Sequence, residues 1–230
     1  MRAVPIYVLA AATAIAASTA VAGPATGDVA AAACTSCHGK DGAGNAEAGF
    51  PALAQLPHKY FMKQIADFKS GTRTKTRDLR VGDSEATEGY GYYVSFMKSV
   101  AKALSAEDAE AAARYFEGLA QPVIVPVAAD PAVIARGKQL AVNGDWDREI
   151  PPCFKCHAVD GRGVAPSFPP IAGQHAAYTE KQLQAWKTGS RTNDPQKLMK
   201  ATVDKLTDDE IRSVAAYLAT LGTRHQGGEK

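Results

Sequence analysis

The chain has 230 residues, more than one average domain and enough for two of about 100 residues each. Hydrophobic residues make up 46% and charged residues 22%, which excludes a disordered or fibrous protein and allows a real core. A formal net charge of +2 gives no support for a nucleic-acid partner.

The chain opens on Met1-Arg2 and an apolar, alanine-rich run from Ala3 to Ala22 that closes on Ala20-Val21-Ala22. This predicts a secretory signal peptide over residues 1–22, cleaved near Ala22. A retained membrane anchor is the competing reading, weakened by the alanine and threonine content of the run. No later stretch approaches spanning length. The mature chain is therefore expected in the periplasm, meeting a membrane only through partner complexes.

A first domain is expected over residues 23–120. Asp28 to Ser36 reads as a helix whose end presents Cys34-Thr35-Ser36-Cys37-His38, and a glycine-rich loop from Gly39 to Gly49 leaves that motif. Lys59 to Lys69 is amphipathic and stops before Gly71, the glycine expected past a helix end. Lys69, Arg73, Lys75, Arg77 and Arg80 form a basic run, read as a solvated face in preference to a steering patch for an acidic partner. Ser105-x-x-Asp108 opens a further helix through Tyr115 and Leu119. Residues 121–129, with prolines at 122 and 126, read as an extended linker packed across both halves.

The second domain, residues 130–224, follows the same order. Asp130-Pro131 opens a helix toward Val142, by cap and first-turn proline. Cys153-Phe154-Lys155-Cys156-His157 follows, then the loop Gly161 to Ser167, a helix from Tyr178 to Lys187 before Gly189, and a last helix opened by Thr207-x-x-Glu210. Residues 225–230 form a polar tail. No strand alternation is convincing, so the expected fold is all-α with two tandem domains.

Both cysteine pairs lie in Cys-x-x-Cys-His motifs and together use every cysteine in the chain. Four exported cysteines allow two disulfides, but this spacing is that of haem c attachment. Two intervening residues set the thiols one helical turn apart, so each can add to one vinyl group of the same porphyrin while the adjacent histidine reaches the iron. Zinc would want four ligands per site, and a dithiol exchanger has no need of the histidine. Two covalently bound haem c groups are thus expected on Cys34, Cys37, Cys153 and Cys156, with His38 and His157 as iron ligands. Haem supplies much of the apolar interior of such short domains, so the haem-free halves should fold poorly.

An internal repeat addresses the opposite face of each iron. Phe50-Pro51 matches Phe168-Pro169 and Phe68-Lys69 matches Trp186-Lys187 at an offset of 118, whereas Met97-Lys98 matches Met199-Lys200 at 102. The first half therefore carries extra residues between Arg73 and Met97. Met97 and Met199 occupy equivalent places and are the expected distal ligands; a thioether opposite imidazole favours ferrous iron and raises the potential. Met62 aligns with Glu180 inside a helix and reads as core or surface. His58 and His175 lack histidine partners in the repeat and read as helix-start or surface residues; His225 lies in the tail.

Two Cys-x-x-Cys-His domains, the Phe-Pro element, the Lys-x-Gly helix ends and methionine followed by Leu-Ser or Leu-Thr together resemble the di-haem cytochrome c4 family, over roughly residues 28–221. The resemblance implies two class I cytochrome c folds, one around each haem, with the cysteines, histidines and methionines in the roles given above. It also implies that the Pro51 and Pro169 carbonyls accept the ring N–H of the proximal histidines, which fixes their tautomer. The implied function is transfer of single electrons between redox partners: a terminal oxidase, a cytochrome bc complex or a periplasmic dehydrogenase. The aromatic segment from Thr74 to Phe96 departs from the family pattern; packing over the first domain is its expected role, against covering a haem edge or docking a partner, and it puts the oxidase partner in doubt. The alternative reading is an electron-accepting subunit of a dehydrogenase complex. A haem enzyme, peroxidase or thiosulfate dehydrogenase, would need an exchangeable iron site or a spare cysteine ligand.

Overall fold

The computed structural model describes residues 26–73, 90–126 and 128–222. The expected signal peptide, most of the inserted segment with Lys75, Arg77 and Arg80, and the tail with His225 lie outside the described residues. Among those described, nine α-helices appear and no strand, only the isolated antiparallel bridges Asn45–Phe50, Asp145–Ile150 and Val164–Phe168. No helix among them is long and apolar enough to cross a membrane.

Four helices build the first half: α1 (Thr26–His38), α2 (His58–Ser70), α3 (Tyr90–Ala103) and α4 (Ala106–Glu117). α1 packs on α4, and α2 on both α3 and α4. Alanines make the close approach possible, with Ala31, Ala109, Ala112 and Ala113 all buried, and Phe116 beneath them stacks at 5.9 Å on Phe61. Truncating a wholly buried phenylalanine of this kind costs about 3–5 kcal/mol.

The second half contains α5 (Pro131–Asn143), α6 (Cys153–His157), α7 (Ala176–Lys187), α8 (Leu198–Val203) and α9 (Asp208–Thr220). α9 packs on α5 and α7, and α8 on α7. At the α5–α9 crossing, a Cβ on Gly137 would lie 2.0 Å from the Ser213 carbonyl oxygen, so only glycine lets the two backbones meet. The helix starts read from sequence are made by the residues expected. Asp130 caps α5, Thr207 and Glu210 form a complete capping box on α9, and Ser105 closes one side of the same motif on α4.

Two features were not foreseen, and one expectation needs correction. In the first half the cysteine motif ends the continuous helix α1, but in the second a loop over residues 144–152 separates α5 from the motif, so the halves differ here as well as at the insertion. The end of the inserted segment is helical: α3 already begins at Tyr90, and Tyr93 lies against Gly49 of its own half with its ring 5.0 Å from Lys181 Nζ of the other. The basic run is not a solvated face where it is described, because Arg73 is 5% exposed and Lys69 Nζ is spent on the Leu104 carbonyl. Residues 121–126 carry no helix and lie against Ala52, Ala54 and Leu56 on one side and Pro170, Ala172 and Gly173 on the other, with Ile124 buried.

Candidate functional site

Each half repeats one loop around its motif histidine. His38 is 4% exposed, and its Nδ1–H donates to the Pro51 carbonyl at 2.9 Å. His157 is 8% exposed and donates likewise to Pro169 at 2.8 Å. This bond assigns the proton to Nδ1 and leaves the Nε2 lone pair for a metal. The Gly44 N–H donates to the His38 carbonyl at 2.8 Å and the Gly163 N–H to that of His157 at 2.7 Å. Phe50 and Phe168 each stand 5.9 Å from the histidine ring. Gly44 has φ of 74°, and a Cβ there would meet the Phe50 oxygen at 2.4 Å; Gly163, at φ of 84°, is as crowded against Pro170 and Phe168.

Burial pushes the imidazoles of His38 and His157 below their ordinary range, partly opposed by the proline carbonyls. Both are thus neutral near pH 7, the form that ligates a metal. Burial raises the Cys153 thiol to about 11, with Cys156 adding to the effect, and Cys34 is raised by burial and then by Cys37. A dithiol exchanger needs the opposite shift. Among the described residues no three His, Cys, Asp or Glu side chains converge on a metal site, so zinc has no ligand set here. Paired cysteines one turn apart and a tautomer-fixed histidine do fit a covalently attached haem.

Met199 packs against the apolar cluster of Leu140, Ile150, Leu183 and Val203 that Cys153 and Phe154 also line. Met97 packs against the cluster containing Cys34, Phe61 and Phe116. Met62 touches that first cluster too, so packing does not separate it from Met97, whereas place in the repeat does. A lysine secures each methionine-bearing helix. Lys69 Nζ donates to the Leu104 carbonyl at 2.7 Å and Lys187 Nζ to that of Leu206 at 2.8 Å, so the two sequence motifs Lys-x-Gly and Leu-Ser/Thr are the ends of one tether.

The halves meet through a reciprocal polar cluster that sequence reasoning missed. Arg73 donates to Gln64 at 2.5 Å, to Gln182 at 3.2 Å and to Tyr178 at 3.0 Å. Arg191 mirrors it, reaching Gln182 at 2.7 Å, Gln64 at 3.3 Å and Tyr60 at 3.4 Å. All three residue pairs are related by the offset of 118 seen earlier, which was the available signal. Burial acts against ionisation of Tyr60, but the charges of Arg191 and Arg73 outweigh it and hold the phenol below its usual range. A second contact is one-sided: Gln174 makes two hydrogen bonds of 3.0 Å to the backbone of Ala52, and His175 Nε2–H donates to the Ala43 carbonyl at 2.8 Å. His175 is therefore an interface residue. His58 starts α2, with its Nε2 2.9 Å from Glu110.

The family model described as Cytochrome c matches twice, over residues 25–120 and 134–222. The thiosulfate dehydrogenase electron acceptor of Stutzerimonas stutzeri is 39% identical over 198 residues, covering 86% of this chain and 83% of that one. Reduced recombinant cytochrome c4 from Pseudomonas stutzeri has a similar structure, with a TM-score of 0.70 and 36% identity over 85% of this chain and 96% of its own. The thiosulfate dehydrogenase TsdBA of Marichromatium purpuratum, as isolated, gives a TM-score of 0.69 and 36% identity over 81% of this chain; the match spans only 36% of that longer protein.

Proposed function

Because the chain belongs to the cytochrome c family, as a two-domain, di-haem electron-transfer protein of the cytochrome c4 kind, we propose that it is an exported carrier that accepts single electrons from a periplasmic dehydrogenase and yields them to a further redox protein. Cys34 and Cys37 would hold one haem and Cys153 and Cys156 the other, with His38 and Met97, and His157 and Met199, as the axial pairs. Bound haem supplies the one-electron couple. The chain's own part is to hold each histidine as the Nδ1–H tautomer, to exclude water, and to present a thioether without rearrangement when the charge changes.

The observation that carries this reading is the duplicated loop in which a proline carbonyl takes the Nδ1–H of a buried, neutral histidine. Intact mass of the purified protein should exceed that of the mature polypeptide by two haems, and a redox titration followed by absorption spectra should report two low-spin, histidine–methionine irons. A mass without both cofactors, or ferric spectra of open or bis-imidazole coordination, would exclude it.

Among possible donors, a thiosulfate dehydrogenase is favoured, because the similar Stutzerimonas protein carries that acceptor name. A terminal oxidase or a cytochrome bc complex then stands on the accepting side. Reduction of the purified protein by a thiosulfate dehydrogenase and thiosulfate, and no reduction by thiosulfate alone, is the expected result for an acceptor that performs no substrate chemistry.

A further inference from the structure

α8 has six residues and follows Lys197, a left-handed N-cap residue that supplies no side-chain cap. So short a helix has little stability of its own, and its position is decided by what grips its ends. The grip on the methionine is Asp194, whose Oδ2 accepts the Met199 backbone N–H at 2.6 Å. Asp194 belongs to the turn over residues 191–195, and the other polar members of that turn are fastened to the first half of the molecule. Asn193 Nδ2 donates to Gln64 Oε1 at 2.9 Å and to Asp67 Oδ2 at 2.7 Å, both on α2. Lys63 Nζ donates to the Asn193 carbonyl at 2.9 Å, and Thr192 Oγ1 to the Thr72 carbonyl at 3.4 Å. Arg191 Nε closes the turn on Asn193 Oδ1 at 2.9 Å.

The geometry points to control of the second haem's distal ligand by the first domain: Asp67 and Gln64 fix Asn193, the turn fixes Asp194, and Asp194 fixes the backbone of Met199. Among the described residues the setting of Met97 is different. Met97 sits within a helix of 14 residues that starts well before it and packs on α2 of its own half. The inference rests on Met199 being the axial ligand, and Asp67, Asn193 and Asp194 are positioning residues with no contact to the haem implied.

The test is a redox titration of the holoprotein with the weak red absorption band of thioether-ligated ferric haem recorded for each iron. Asn193→Ala and Asp67→Ala should lower the second haem's potential and reduce the band to the contribution of one haem, leaving the first haem unchanged, since slackening the thioether withdraws the ligand that favours ferrous iron. Asp194→Ala, which leaves the interface intact, should give the same shift by itself. Asp194→Asn keeps an accepting oxygen and should restore the wild-type values, a rescue that a merely structural defect would not show. If the wild-type second iron carries the thioether band and Asp67→Ala, Asn193→Ala and Asp194→Ala all leave its band and potential untouched, the tether is overturned while the ligand assignment stands. A wild-type second iron without that band overturns the assignment itself, and the tether with it.

Discussion

In both halves a proline carbonyl meets the motif histidine at nearly the same distance, 2.9 Å and 2.8 Å, inside loops that share their main bonds although the first is one residue longer. The methionine segments do not match: Met97 lies in mid-helix on α3, whereas Met199 lies at the start of a short α8 gripped through a turn that the other half holds. A proximal loop of consecutive residues is a self-contained unit and keeps its bonds to the histidine even with one residue added. The methionine positions depend on packing between elements, and there the two halves differ. The domain contacts divide in the same way. The second half braces the first half's proximal loop through Gln174 on Ala52, and the repeat position of Ala52 in the second half is Pro170, which has no N–H to offer in return.

The largest effect should come from removing one proximal unit altogether. With Cys153→Ala and Cys156→Ala, intact mass should show a single haem, and far-UV circular dichroism should lose the helices of the second half, since so small a domain lacks a sufficient core without its cofactor. The same exchange at Cys34 and Cys37 should cost the first half its fold. If helix content stays whole in either case, the apolar clusters alone suffice.

Next in size are the methionines proposed as axial ligands. Met199→Ala should lower the potential of the second haem and open its iron to added ligands such as imidazole, and Met97→Ala should do the same for the first. An unchanged potential and spectrum at Met97→Ala, with the expected change at Met199→Ala, would turn attention to Met62, which packs on the same cluster.

At the interface, Arg73→Leu and Arg191→Leu should each cost about 1–3 kcal/mol, the scale for leaving buried hydrogen-bond partners unsatisfied. Each should also split thermal unfolding into two calorimetric transitions. Because the two guanidiniums share Gln64 and Gln182, the double variant should lose less than the sum of the singles. Strict additivity would mean that the cluster is two independent contacts.

Much of this plan was legible in the residues. The two Cys-x-x-Cys-His motifs and the Phe-Pro element are local patterns, and the capping residues Asp130, Thr207 and Ser105 act within three positions of themselves. The loop over residues 144–152 escaped because the repeat was traced through segments downstream of the motifs, where it is silent about what precedes them. Arg73 was misread for a different reason. A run of basic residues looks solvated until a partner surface is known, and here that surface, Tyr178 and Gln182, lies more than a hundred residues away in the chain. Gln174 and Asp194 carried no signal of their own, since each acts on a backbone atom whose position only the fold defines.

The smallest effect separates the two capping boxes and should appear only in acid. Burial acts to raise the Glu210 carboxyl, but hydrogen bonds from Arg148, the Thr207 backbone and Arg136 outweigh it and hold the group down at about 2. Its ordinary value is 4.5, so the stabilisation it gives is fully present above that pH and is lost as the pH falls toward about 2. Glu210 is largely buried but its arginine partners are partly exposed, so screening leaves about 1–2 kcal/mol of this effect. At the same place in the first half stands Asp108, exposed and closing one side of its box. Between pH 4.5 and 2 the second half should therefore lose stability faster than the first. Glu210→Gln should remove that difference while lowering stability at neutral pH, as read from denaturant unfolding followed at each haem. An unchanged acid limb in Glu210→Gln would place the acid sensitivity elsewhere, and the box on α9 would then owe its strength to the Thr207 hydroxyl, which does not titrate.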